Sequence, residues 1–151
     1  MGLFDGYDLS SSGMSAQRTR INVVSANIAN AQTTHTADGG PYKKQNVVFE
    51  EVLLNAQKSS TQQASIPKSG TYTPLSGVAV KNVIDSKDEP MMKYEPGHPD
   101  ANGDGYVAYP NINPVVEMVD LIEAMRSYEA NVSAFTAHKD IDTKTLDILK
   151  G

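Results

Sequence analysis

The chain has 151 residues, a formal net charge of −5, and neither cysteine nor tryptophan. Its length suits one domain. The missing cysteines exclude disulfides, thiolate metal sites and cysteine nucleophiles. With no block of Lys and Arg, nothing in the chain is suited to a phosphate backbone, so no nucleic-acid partner is expected.

Leu, Ile, Val and Phe make up about a fifth of the residues, close to the level at which chains stay unfolded. An isolated copy is therefore expected to be marginally stable, at least in part. No run approaches the ~18 apolar residues of a membrane span. No basic stretch followed by an apolar one marks a secretory signal at the N-terminus.

In chain order, the first element predicted is a helix. It starts between Asp5 and Ser10, where Asp8 or Ser10 can cap it, and runs to about Thr33 before Gly39-Gly40-Pro41 stops any continuation. Met14, Ile21, Val24, Ile28 and Ala31 recur at three- and four-residue spacing, with Gln17 in register. Ser11, Ser12, Gly13, Ser15 and Ala16 make much of this helix small, which suits close packing among neighbours. The middle reads as short strands around Val47-Val48-Phe49, Val78 to Ile84, and Tyr106 to Tyr109. A polar, Ser/Thr/Gln-rich stretch at 57–76 reads as a mobile loop, and 88–99, with three prolines, as irregular or extended.

A second helix begins where Asn113 offers a cap and Pro114 fits the first helical position. It is expected to reach Lys150. Its stripe is Met118, Leu121, Met125, Tyr128, Val132, Phe135, Leu146 and Leu149; the register weakens at Lys139 and Asp142, predicting a bend or shift near residue 138. The fold class is α+β: long N- and C-terminal helices (1–35 and 111–151) pair as a coiled-coil-like domain, with a small β-rich insert (36–110) between them.

Candidate chemistry is sparse. Asp100-Ala101-Asn102-Gly103-Asp104-Gly105 matches the opening of an EF-hand loop, but the bidentate glutamate due at the twelfth position is Asn111. A Gly-rich turn leading into a strand is the favoured reading; a secreted calcium-binding module with a coiled-coil dimerisation stalk is the alternative. His35, His98 and His138 are too scattered for a metal or catalytic set. Asn131-Val132-Ser133 is a formal glycosylation sequon, but it falls within a predicted seam. No nucleophile–base pair stands out, so no enzyme activity and no cofactor are expected.

A 3.5-residue repeat marks a helix seam rather than a broad core-facing side. A lone two-helix pair encloses no core, and the insert is too polar to cover both stripes, so packing between molecules is favoured over a closed monomer. The expected assembly interface is Met14, Ile21, Val24, Asn27, Ile28 and Asn30 on the first helix. On the second it is Met118, Leu121, Met125, Tyr128, Val132, Phe135, Leu146 and Leu149. Asn27 and Asn30 are expected to fix register between helices.

Ser25-Ala26-Asn27-Ile28-Ala29-Asn30-Ala31-Gln32-Thr33 resembles the Asn-rich N-terminal motif of the bacterial flagellar rod and hook axial-protein family. Pro41 to Glu50, Tyr94 to Asp100, Gly105 to Pro114, Val116 to Val119, Arg126 to Asn131 and Lys144 to Ile148 are similar to a proximal-rod member of the basal body. The resemblance spans roughly residues 8–54 and 78–150. It implies a structural subunit that polymerises helically into a torque-transmitting shaft and export-channel wall. It also implies export through the flagellar type III apparatus without signal cleavage, a place in the periplasm-spanning rod, and partners that are copies of itself, sibling rod proteins, and basal-body ring and export-gate neighbours.

Overall fold

The computed structural model describes residues 5–54 and 76–150. All but the last residue of the 57–76 loop lies outside them. The elements are α1 (Asp5–Ala29), β1 (Gln45–Leu53), β2 (Ser76–Asp85), β3 (Met91–Tyr94), β4 (Tyr106–Tyr109) and α2 (Pro114–Lys150). The architecture is α+β, with the two helices at the ends of the chain and antiparallel strand pairs between them.

The helices pack antiparallel. Tyr7 donates from its hydroxyl to Asp142 Oδ2 (2.7 Å) and meets the Phe135 ring edge-on at 5.0 Å. Further along, a Cβ on Gly13 would stand 2.9 Å from the Asn131 amide. Next, Arg20 reaches Asp120 (3.8 Å) and Glu123 (3.6 Å), and Asn27 bonds Glu117 (3.1 Å). At 1.5 Å per residue α1 is about 37 Å long and α2 about 55 Å. Tyr7 meets Asp142 near the start of α1, so residues 143–150 project beyond it.

The positions turned to α1 are Glu117, Ala124, Asn131, Phe135, His138 and Asp142, with Leu121 and Tyr128 in the same register. On α1 they are Gly6, Gly13, Arg20 and Asn27, with Ser10, Gln17 and Val24 between. A heptad seam was expected and a heptad seam is present. Its alternate members, however, fall one residue earlier than expected: Ala124 rather than Met125, Asn131 rather than Val132, Gly13 rather than Met14. The cause is close approach. Glycine and alanine let the backbones come together, whereas methionine at the same places would hold them apart. Through residue 138 α2 runs unbroken and the seam keeps its spacing to Asp142, so the expected shift is absent.

On its other side α1 carries the β1–β2 hairpin. The strands pair from Gln45↔Asp85 to Leu53↔Ser76, with a bulge that leaves Lys81 opposite no partner. Val78 N–H donates to Ser12 Oγ (3.3 Å), and Gly77 permits this, since a Cβ there would stand 2.9 Å from that oxygen. Among the described residues the buried apolar set is Ala16, Val23, Val24, Val107 and Ala124. This is a thin core. The second ribbon, β3–β4, pairs Met91↔Tyr109 to Tyr94↔Tyr106; β3 falls in the 88–99 stretch expected to be irregular or extended.

A polar junction joins what the core does not. Asn27, 1 % exposed, donates to the Gln45 carbonyl (2.9 Å) and to Glu117 Oε2 (3.1 Å). Its Oδ1 accepts from Gln45 N–H (2.9 Å) and the Tyr42 hydroxyl (3.2 Å). Both donors and both acceptor positions of the amide are thus used. Burial, with the carboxylates of Asp85 and Glu117, raises the Tyr42 pKa, which keeps that hydroxyl a donor. Glu117, also 1 % exposed, is met by Lys44 Nζ at 2.7 Å. Asn113 Oδ1 accepts from Val115 N–H (3.0 Å), the expected cap of α2.

The junction predicts an asymmetry. Lys44→Met strands a buried carboxylate and is expected to cost about 3 kcal/mol or more. Glu117→Gln keeps an acceptor for Asn27, frees a partly exposed lysine, and is expected to cost about 1–2 kcal/mol. Urea midpoints of the two variants check the order; equal shifts would mean that the buried charge is not held by Lys44.

Candidate assembly interface

The residues expected to face neighbouring molecules divide into three groups. Val24 and Asn27 are buried inside the single copy, and Leu121, Tyr128 and Phe135 are half-buried along the seam. Asn30 also works within the chain: its Nδ2 donates to the Ala26 carbonyl (2.9 Å) and its Oδ1 accepts from the Thr33 hydroxyl (3.1 Å). Both asparagines bond within the chain. Met14, Ile21 and Ile28 are half-buried, each one residue past a seam position. Met118, Met125, Val132, Leu146 and Leu149 stand exposed, and with them Val115, Val116, Val119, Ile122, Ile141 and Ile148, which the sequence reading did not place in the interface.

The outer surface of α2 therefore leaves large apolar side chains in water. Its inner face mixes Leu121, Ala124, Tyr128 and Phe135 with Glu117, Asp120, Asn131, His138 and Asp142, the polar ones engaged with α1. The signal for this placement was present in the sequence as small residues, Gly6 and Gly13 seven residues apart on α1 and Ala124 on α2. Apolar periodicity outweighed it in the reading because large side chains dominate any count of hydrophobicity.

The EF-hand-like segment is built as a turn. Asn102 Oδ1 accepts from the backbone N–H groups of Asp104 (3.0 Å) and Tyr106 (2.8 Å), and Gly105 adopts φ +82°, which favours glycine. Asp100 Oδ2 accepts from the Thr34 hydroxyl (2.7 Å), tying the loop to the segment that follows α1. Two of the three oxygens that would open a calcium loop are thus committed to the chain itself. Among the described residues no group of three or more His, Asp or Glu is placed to hold a metal. His138 lies in the helix seam against Tyr7 and Gly6, and His98 accepts from Asp100 N–H (3.1 Å). The sequon amide of Asn131 donates to the Ser127 carbonyl (3.0 Å) and faces Gly13.

The β3–β4 ribbon holds a small charge cluster. Glu95 is bonded by Lys93 Nζ and by the Tyr109 hydroxyl (2.9 Å); the lysine, then the phenol, lower its pKa below the usual glutamate range. A depressed carboxylate stabilises the fold above its unfolded pKa of about 4.3. That contribution is lost as pH falls through the lower folded value. Unfolding midpoints measured as pH is taken down through this range should fall for the wild-type chain and fall less for Glu95→Gln.

Residues 8–34 match the family described as "Flagella basal body rod protein", and residues 104–148 the one described as "Flagellar basal body rod FlgEFG protein C-terminal". These two matches cover most of the helical domain, including Asn27, the outer face of α2 and the β4 strand. The chain is 41 % identical to the flagellar basal-body rod protein FlgC of Borreliella burgdorferi, over 100 % of both chains. It is 36 % identical to FlgC of Bacillus subtilis, over 99 % of this chain and 100 % of that one. With FlgC of Salmonella typhimurium it shares 36 % identity over 98 % of each. Identity of this extent over essentially the whole chain places it in the flagellar basal-body rod protein FlgC family.

Proposed function

We propose that the chain is a structural subunit of the proximal rod, joined to copies of itself and to sibling rod proteins through the outer face of its helix pair. One observation carries the reading. Large apolar side chains are exposed along α2, and among the described residues no element of the same copy lies over them. Exposed apolar surface of this extent is what an assembly contact removes from water. Contacts between unlike patches repeat without closing, which yields a helical shaft rather than a ring. The absence of a cofactor or catalytic role, export by the type III apparatus without signal cleavage, and a periplasm-spanning position belong to the same proposal.

The helix pair fits a subunit that must travel before it assembles. A thin apolar core and a seam of small and polar side chains leave the isolated copy little stability to spare. Burial of the outer face then comes only on incorporation, so assembly and full ordering are coupled.

Met118→Glu with Met125→Glu tests the assignment. Both side chains are half-exposed and lie outside the seam, so the variant is expected to keep its helix content and melt within about 0.5 kcal/mol of wild type. Incorporation into basal bodies, and with it motility, should be lost. Normal rods built from a folded double variant would remove the outer face of α2 from the assembly contact.

A further inference from the structure

Asn102 and Gly103 form an exposed pair in the turn that leads into β4. Of the ten asparagines in the chain, Asn102 alone is followed by glycine; elsewhere the next residue is Val, Ile, Ala or Pro. The difference is chemical. A main-chain nitrogen can attack the side-chain carbonyl of an asparagine just before it and close a cyclic imide. A side chain on the residue that carries the nitrogen obstructs that approach.

The two glycines of the turn serve different ends. Gly105 has φ +82°, and a Cβ there would stand 2.9 Å from the Tyr94 ring, so the fold demands glycine. Gly103 is not among the glycines at positive φ, and nothing lies within 4 Å of where its Cβ would be. The fold would accept a side chain at 103. Its absence leaves the nitrogen uncovered.

The surroundings favour the attack. Among the described residues the Gly103 N–H meets no acceptor, so water is free to take its proton. Asn102 Oδ1 accepts from the N–H groups of Asp104 (3.0 Å) and Tyr106 (2.8 Å). Those two donors face the oxygen on which negative charge grows when the carbonyl is attacked. Asn102 Nδ2, the group that must leave, has no acceptor among the described residues.

We propose that Asn102-Gly103 is a self-modification site. The Gly103 nitrogen bonds to Asn102 Cγ, the Cγ–Nδ2 bond breaks, and the proton given up by the main chain leaves with Nδ2 as ammonia. Water then opens the imide. Breaking the new Cγ–N bond gives aspartate at 102; breaking the original peptide bond gives isoaspartate, with the chain rerouted through the side chain. One water enters, one ammonia leaves, and nothing is oxidised or reduced.

The products differ in their effect on the ribbon. Aspartate keeps an oxygen where Oδ1 stands, so both N–H bonds to it survive. Isoaspartate adds a main-chain carbon inside a loop closed by Asn102 N–H to the Tyr106 carbonyl and Gly105 N–H to the Asn102 carbonyl, each 2.9 Å. That loop runs directly into the Tyr94↔Tyr106 pair of β3 and β4. The isoaspartyl chain is therefore expected to hold this ribbon less firmly.

The purified full-length chain, kept folded at mildly alkaline pH and followed by peptide mapping, is the test. Asn102 is expected to convert ahead of the other nine asparagines, with isoaspartate appearing at that position. Gly103→Val is expected to retain wild-type helix content and melting while losing the conversion. Gly103→Ala, a smaller obstruction, is expected to slow it and serves if valine lowers the melting point. Asn102→Asp should melt as the fresh chain does, and the isoaspartyl fraction of aged chain should melt lower. An Asn102 still intact after other asparagines have converted would overturn the site. So would conversion of folded Gly103→Val at the wild-type rate. Conversion seen only in urea would do the same, because the turn would then shield the amide rather than activate it.

Discussion

The structure hangs on one amide. Asn27 is the only side chain among the described residues that is bonded at once to the strand start at Gln45, the approach segment at Tyr42 and the first turn of α2 at Glu117. With so few buried apolar residues, hydrophobic burial supplies little to fix where α1, β1 and α2 meet. Four hydrogen bonds to one buried group do that instead, and because every polar atom of the amide is used, its burial carries no unpaired penalty. Lys44 and Glu117 extend the network by a charge pair whose acid is wholly enclosed. Such pairs add little net stability, but they penalise any arrangement that separates them. Specificity of placement, rather than strength, is what the junction provides.

Once the helices are set by this junction and by small residues, the distribution of greasy side chains follows. Close approach at Gly6, Gly13 and Ala124 leaves those three positions no room for methionine. Many of the larger residues lie on the flanks and the outer surface, where no described element of the same copy covers them. Glycine, alanine, asparagine and charged groups share the seam with Val24, Leu121, Tyr128 and Phe135, while many other large apolar side chains stand in water among the described residues.

The helix boundaries and their pairing were legible in the sequence because local chemistry sets them. Asn113-Pro114 announces the start of α2, and Gly39-Gly40, both at positive φ, mark the turn after α1. The end of α1 was placed a few residues too far along because Asn30 and Thr33 carry on the pattern. In the fold, Asn30 bends back to the Ala26 carbonyl and closes the helix. Strand β3 was hidden by prolines at 90, 96 and 99, which flank Met91–Tyr94 without entering it. Alternate seam positions were read one residue late on both helices, whereas Val24, Leu121, Tyr128 and Phe135 lie where the spacing put them. The pairing of Asn27 with Glu117 was not legible at all. They lie 90 residues apart, and nothing in either local sequence signals the other.

A subunit that carries torque must resist sliding between its own helices, and the clasps bear on that requirement. At one end Asn27 and Glu117 lock α1 to α2; at the other, Tyr7 bonds Asp142 and packs on Phe135. Arg20 bridges to Asp120 and Glu123 between them. Sliding one helix along the other by a turn would break the buried Asn27 bond and leave Glu117 with one partner fewer, so shear meets a polar penalty as well as lost packing. The hairpin is coupled to the same frame, because Gln45 is held by Asn27 and Val78 by Ser12. Force applied to the outer face of α2 therefore reaches the β-strands through short, directional bonds on α1, the one element that touches both. Directional bonds on the inner face of α2 thus resist shear more than its apolar contacts alone would.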